Sequence, residues 1–270
     1  MKELINYTLH LADNSLILGH RNSEWAGHGP VLEQDIAISN IALDLIGQAR
    51  NFYQYAATLI NKAVLQSGTK APSPIGEGVG GEVTEDTLAY LRDAHDFKNC
   101  LLVEQTNGDW AKTILRQFFF STYQFFLYQQ LKNSKDETIA AIAEKSLKEV
   151  TYHLRWSSEW VIRLGDGTEE SHARMLKAVD ELWMYTNEIF EASSYELIAA
   201  SKGYGVDVSL LKIEWQKKVK DIFDEATLPS PFGEGLGVRW FGKEGKHSEH
   251  LGFILAEMQF LQRAYPNSEW

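Results

Sequence analysis

Between residues 135 and 164 one side of a helix can be read in steps of three, four and seven: Ile139, Ile142, Ser146, Glu149, His153, Trp160, Leu164. The stripe is apolar at its ends and polar in its middle. A helix of this length needs neighbours along its whole apolar face, which confines the chain to a packed helical bundle. Burying Glu149 and His153 inside such a bundle costs free energy unless each finds a partner. The helix therefore carries a site or a satisfied polar network.

The rest of the chain supplies the neighbours. A first helix is predicted over 2–20, with Leu4, Leu11, Ser15 and Leu18 on one side, and a Gly27-His28-Gly29-Pro30 turn follows. The second is predicted over 31–63. Its stripe is Ile38, Ile41, Ala42, Leu45, Ala49, Phe52, Ala56 and Leu59, while Ile36, Leu43, Ile46 and Tyr53 cover much of the other side, so it reads as the central helix. A short helix opened by Thr84 covers 84–94, and an aromatic-rich one covers 109–133. Beyond Gly165-Asp166-Gly167, Thr168 caps a helix running to about 201; others are expected at 208–226 and 247–264. No segment reads as a β-hairpin. The expectation is an all-α antiparallel helical bundle with extra helices, forming one domain over 1–270.

Pro72-Ser73-Pro74-Ile75-Gly76-Glu77-Gly78-Val79-Gly80 recurs as Pro229-Ser230-Pro231-Phe232-Gly233-Glu234-Gly235-Leu236-Gly237, with unrelated flanks. A duplicated folding unit would be longer. Residues 66–83 and 228–245 are therefore expected to be flexible surface insertions. With Gly81 the first copy spells G-x-G-x-x-G, but it leaves a helix rather than a strand, so it is not a dinucleotide loop.

Charge and cysteine content narrow the function. A net charge of −11 provides no basic stripe for nucleic acid. The one cysteine, Cys100, excludes an internal disulfide and fits a reducing cytoplasm; it lacks an adjacent base and reads as a buried, inert thiol. Asp13 interrupts the first apolar run, so no secretory signal is expected, and no stretch is long and apolar enough for a membrane span.

Glu and His on one face are ligand types of a di-iron bundle, which needs Glu-x-x-His on each of two helices. Glu149 and His153 have the right depth but are one residue too far apart. The second helix offers Asp44 and Gln48 with Glu33, and Gly47 stands where a histidine would be wanted. The aromatic helix offers only the amides Gln117 and Gln124. Formal matches at Glu169/His172 and Glu244/His247 fall at a helix end and in a loop. His247 and His250, with Glu249 or Glu257, could hold a divalent ion but fit a solvated helix start better. The aromatic run reads as core rather than as a substrate pocket. No catalytic or cofactor-binding residue is assigned. Glu33, Asp44, Gln48, Glu149 and His153 stand as a degenerate metal site, expected to form a hydrogen-bonded network.

Several segments together resemble a known family: Glu24-Trp25-Ala26-Gly27-His28-Gly29-Pro30 with Glu33 and Asp35; Asn40 to Phe52, including Asp44, Gly47, Gln48 and Arg50; Leu101-Leu102-Val103-Glu104-Gln105 with Asn107-Gly108; Lys148-Glu149 with Tyr152-His153-Leu154-Arg155; and His250-Leu251-Gly252 with Ala256-Glu257-Met258-Gln259. They resemble the C subunits of the ring 1,2-phenylacetyl-CoA epoxidase, across essentially the whole chain; the two Pro-Ser-Pro stretches look like additions. The resemblance implies a ferritin-like fold and a place in aerobic phenylacetate breakdown. It implies a multicomponent monooxygenase in which a catalytic A subunit holds the di-iron centre and binds the CoA ester. A small B subunit and a reductase with flavin and iron–sulfur complete it. The C subunit would bind no cofactor and would pair with A as a structural, cytoplasmic subunit. The rivals from other classes are an oxygenase or oxidase binding its own iron through Glu149, His153, Asp44 and Glu33, and a stand-alone helical adaptor.

Overall fold

A computed structural model describes residues 1–67, 82–231, 241–265 and 268. In chain order the helices are α1 (Lys2–Ser23), α2 (Leu32–Ser67), α3 (Glu85–Tyr90), α4 (Leu101–Glu104), α5 (Trp110–Leu131), α6 (Glu137–Gly165), α7 (Glu169–Leu182), α8 (Ser194–Lys202), α9 (Lys212–Glu225), α10 (Glu249–Met258) and α11 (Phe260–Ala264), with short 3-10 turns after α3, α7, α8 and α9. No strand occurs among the described residues, and none of their helices is long and apolar enough to cross a membrane.

The long helices α1, α2, α5 and α6 form a ferritin-like bundle whose directions can be read from contacts. Asp13 meets Tyr53 and Gly19 meets Leu45, so α1 and α2 are antiparallel. Ser15 meets Gln124 and Asn22 meets Gln117, so α1 and α5 are antiparallel. Gln34 meets Trp160, Gln48 meets Glu149 and Tyr55 meets Asp136, so α2 and α6 are antiparallel. It follows that α2 and α5 run parallel, and residues 83–107 between them cross the bundle from end to end, from Asn61 to Arg21.

Local chemistry sets the ends. Asp109 accepts from the Lys112 amide and Asp136 from the Thr138 and Ile139 amides. Thr84 and Thr168 are the N-caps that the sequence predicts. Each such cap is worth about 1 kcal/mol. The aromatic run of α5 is core: Phe118, Phe119, Phe120, Tyr123 and Tyr128 are all at most 2% exposed. Burying each of these rings stabilises the fold by about 1.5–3 kcal/mol.

Three expectations fail. First, the helix expected to reach 201 stops at Leu182. Two 3-10 turns follow, Trp183–Tyr185 and Asn187–Phe190, before Ser193 caps α8. The Thr186 hydroxyl takes the Trp183 carbonyl, a local bond that competes with the helical ladder. The turns let Glu188 reach inward. Second, the last helix begins at Glu249, capped by Ser248, and leaves His247 outside it.

Third, the enclosed helix is α1 rather than α2. Every residue from Tyr7 to Gly19 is buried, whereas Leu32, Ile36 and Leu43 of α2 are 71%, 52% and 66% exposed. Polar residues disguised this in the sequence. His10, Asp13 and Asn14 face the crossing segment and bond to it: His10 Nδ1 to the Lys98 carbonyl at 2.7 Å, the Lys98 amide to Asp13 at 2.7 Å, and the Cys100 amide to Asn14 at 2.9 Å.

The two Pro-Ser-Pro stretches, and with them the Gly76–Gly81 motif, lie largely outside the described residues. Their downstream edges are packed, whereas Gln66, Pro229 and Ser230 on the upstream side are exposed. Asn61 clasps Val83 with two hydrogen bonds, at 2.8 and 3.0 Å, and Gly242 and Lys243 are buried.

Candidate functional site

Antiparallel packing of α2 on α6 sets Asp44 opposite His153 and Gln48 opposite Glu149, one helical turn apart. Gln48 Nε2 donates to Glu149 Oε2 at 2.9 Å. His153 Nε2 lies 3.0 Å from Asp44 Oδ2; the carboxylate can only accept, so Nε2 carries the proton. Gln48 and His153 are buried, Glu149 is half-buried, and the Asp44 side chain is 37% exposed. The seam is thus closed at its floor and open at its rim.

Behind it the network continues across the bundle. Tyr128 donates to Gln48 Oε1 at 3.4 Å, and Gln124 Nε2 lies 3.4 Å from the Tyr128 hydroxyl and 3.5 Å from Ser15 Oγ. Further along α5, Gln117 accepts from Asn22 at 2.6 Å and donates to Ser121 at 2.7 Å. Burial pushes the Tyr128 phenol well above its usual range. His153 Nδ1, Ser146 Oγ and Gln124 Oε1 are buried without a hydrogen-bond partner among the described residues.

These residues do not fit a di-iron centre. Such a centre requires a carboxylate from each of two helices and Glu-x-x-His from each of the other two. Here α1 and α5 supply hydroxyls and amides, α2 supplies one carboxylate and one amide, and there is one imidazole. Glu33 does not join them: it is exposed, and eleven residues along α2 separate it from Asp44 by about 16 Å. Among the described residues no three His, Cys, Asp or Glu side chains are grouped to hold a metal ion. The arrangement can orient side chains and hold α2 on α6.

The other candidates disperse. Glu169 is exposed in the first turn of α7, and His172 Nδ1 binds the Gly165 carbonyl at 2.6 Å. Glu244 ends a 3-10 turn. Cys100 is buried, and burial pushes its thiol up. His247 corrects the sequence reading: its side chain is only 4% exposed, bonded to Glu104 Oε2 at 2.9 Å and to the Phe97 carbonyl at 3.0 Å.

That contact belongs to a set of buried charges which the sequence pattern does not reveal. Asp13 is ion-paired with Arg92 and accepts from Tyr53 at 2.5 Å. Glu104 also accepts from the Ser248 amide at 2.7 Å and from Asn99 at 3.0 Å. Glu188 accepts from the amides of Leu101 (2.7 Å) and Gly242 (2.6 Å). Glu196 binds Lys243 at 3.1 Å and the Ser193 amide at 2.8 Å. Burial raises the pKa of Glu188. Burial also acts to raise that of Glu196, but Lys243, His10 and Ser193 outweigh it and hold the carboxyl below its usual range. Burial acts to lower His247, but the bond to Glu104 outweighs it and raises it. Each of these carboxylates is satisfied by a cation, an amide or a hydroxyl, so together they fasten the connecting segments to the bundle. Glu104 and Glu188 sit in short or irregular elements, where no helical stripe marks a residue as interior.

The architecture and the paired seam can be set beside known proteins. The family described as phenylacetic acid catabolic protein matches residues 1–270. Over 270 residues the chain is 44% identical to the C subunit of 1,2-phenylacetyl-CoA epoxidase from Escherichia coli (strain K12), covering 100% of both proteins. A bundle matched from end to end in this way belongs to the phenylacetic acid catabolic protein family.

Proposed function

We propose that the chain is the non-catalytic structural subunit of a multicomponent 1,2-phenylacetyl-CoA epoxidase. It acts as one domain, in the cytoplasm, in aerobic phenylacetate breakdown. It pairs with the di-iron catalytic A subunit and stabilises it, because a protein that binds only the folded form of its partner shifts that partner's folding equilibrium. It holds no cofactor; iron resides in A, and flavin and iron–sulfur in the reductase. The observation that carries this reading is the donor set of the α2–α6 seam, where each carboxylate is already bonded, Glu149 by an amide and Asp44 by the imidazole. Full-length similarity to a protein named as an epoxidase subunit supports the complex.

Co-expression with the A subunit, followed by sizing and metal analysis, tests it. The expected result is a stable hetero-oligomer whose iron and epoxidase activity follow A, while the isolated chain has neither. A di-iron complement in the isolated chain would overturn the structural role, and failure to associate with A would overturn the pairing.

A further inference from the structure

The inner faces of α2 pack on α1 and α6; its outer face is open over the first half of the helix, while further along Arg50 and Gln54 bind Glu85 of α3. Leu32, Ile36 and Leu43 lie on one helical stripe and are 71%, 52% and 66% exposed. One turn on, a Cβ built on Gly47 would have nothing within 4 Å. Val31 extends the stripe at its start, and Tyr152 of α6, 38% exposed, stands across the seam. Ser39 and the exposed Asn40 lie between Ile36 and Leu43, and a row of exposed apolar side chains of this kind is a candidate interaction surface.

Its chemistry specifies the occupant. The open rim of the seam holds the carboxylates of Asp44 and Glu149 beside that face. Asp44 pairs only with His153 and Glu149 only with the Gln48 amide; among the described residues no Lys or Arg is within ion-pair distance of either. Of the cations on α6, Arg155 is turned to the Tyr152 ring (5.8 Å) and to Glu159 (4.0 Å), and the exposed Lys145 and Lys148 beside Glu149 make no ion pair with it. Two carboxylates bonded only by an imidazole and an amide, beside exposed apolar side chains, are complementary to a cation carried on an apolar ridge. A second copy of this chain is a poor fit, since it brings a charge of −11 and the same carboxylates.

We propose that the outer stripe of α2 and the α2–α6 seam form the docking surface for the partner subunit. The partner seats an amphipathic helix whose apolar ridge packs on Leu32, Ile36 and Leu43 and whose Arg or Lys enters between Asp44 and Glu149. This rests on the reading of the chain as a subunit that pairs with A.

The test is titration of the purified chain against the A subunit at low and high salt. Ile36→Glu, Leu43→Glu and Asp44→Asn are compared with wild type and with Ile213→Glu, which alters an exposed apolar residue on α9. Ile36 and Leu43 already face water, so their variants keep the fold, which circular dichroism checks. Each is expected to weaken binding by about 30-fold. Asp44→Asn is expected to weaken it at low salt and to flatten the salt dependence, and Ile213→Glu to bind as wild type does. If Ile36→Glu and Leu43→Glu bind as tightly as wild type, the docking surface is wrong while the pairing stands. If wild type itself does not bind A, the pairing falls and this surface with it.

Discussion

Lys243 Nζ lies 3.1 Å from Glu196 Oε1, with the two side chains 4% and 1% exposed. The ammonium also donates to the Ile189 and Glu191 carbonyls, at 3.2 and 3.1 Å. One buried cation thus gathers the 3-10 segment, α8 and the turn before α10. Removing one member of a buried pair strands the other. Lys243→Met is expected to cost about 3–5 kcal/mol in urea unfolding. Lys243→Met combined with Glu196→Gln should cost less than Lys243→Met alone. A double variant worse than the single one would show that the charge pair is not the source of the loss.

The pair of His247 and Glu104 has a pH signature. The folded state raises the His247 pKa above its ordinary value of 6.5, so it binds the proton more tightly than the unfolded chain does. Its contribution is complete below about pH 6.5 and is lost as pH rises through the folded value. The stability difference between wild type and His247→Gln should therefore shrink as pH increases from 6 towards 9. His10, lowered by burial, is common to both proteins and cancels in the difference. A difference that grows with pH would contradict the assignment.

Gln48→Glu tests whether the seam is one amide short of binding metal. A carboxylate in place of Gln48 loses the hydrogen bond to Glu149 and faces its like charge, at a cost of about 1–3 kcal/mol. Asp44, Glu149 and His153 would then have a further oxygen ligand beside them, and carboxylates suit Mn2+. The expected outcome is a lower Tm that Mn2+ partly restores, with no response in wild type. Equal Tm shifts in both proteins would mean that Gln48 is not what the seam lacks.

One to two turns further along α6, Gln34 Oε1 accepts from Trp156 Nε1 at 3.1 Å and from Trp160 Nε1 at 2.7 Å. Both indoles pack edge-on against Trp110, with ring centroids 6.0 and 5.8 Å away. Gln34→Leu leaves two indole N–H groups unpaired and should cost about 1–3 kcal/mol. Tryptophan emission should shift with it. Unchanged emission and stability would show that the indoles find other acceptors.

The bundle was legible because its long helices obey a 3.6-residue period and carry recognisable caps, as at Thr84 and Thr168. The seam was legible in part. Asp44, Gln48, Glu149 and His153 recur at turn spacing, and the structure brings them together. Glu33 shares their helix but lies three turns away in water. The identity of the enclosed helix was hidden, since His10, Asp13 and Asn14 look like a solvated face until the crossing segment supplies their partners. The anchors Glu104, Glu188 and His247 were hidden for the same reason. A partner 54 or 143 residues away leaves no periodic trace in the sequence.

The enclosure of α1 has a consequence for synthesis. Its far side is closed by residues 92–105, and His10 faces Glu196, which is held in turn by Lys243 near the end of the chain. Among the described helices α1 leaves the ribosome before the elements that cover it, and is therefore among the last to be covered. Until residue 243 or so has emerged, α1 presents apolar surface and unpaired polar groups, and nascent chains are prone to aggregate in that state. Chains truncated before α10 should accordingly require chaperone protection, whatever the stability of the completed protein.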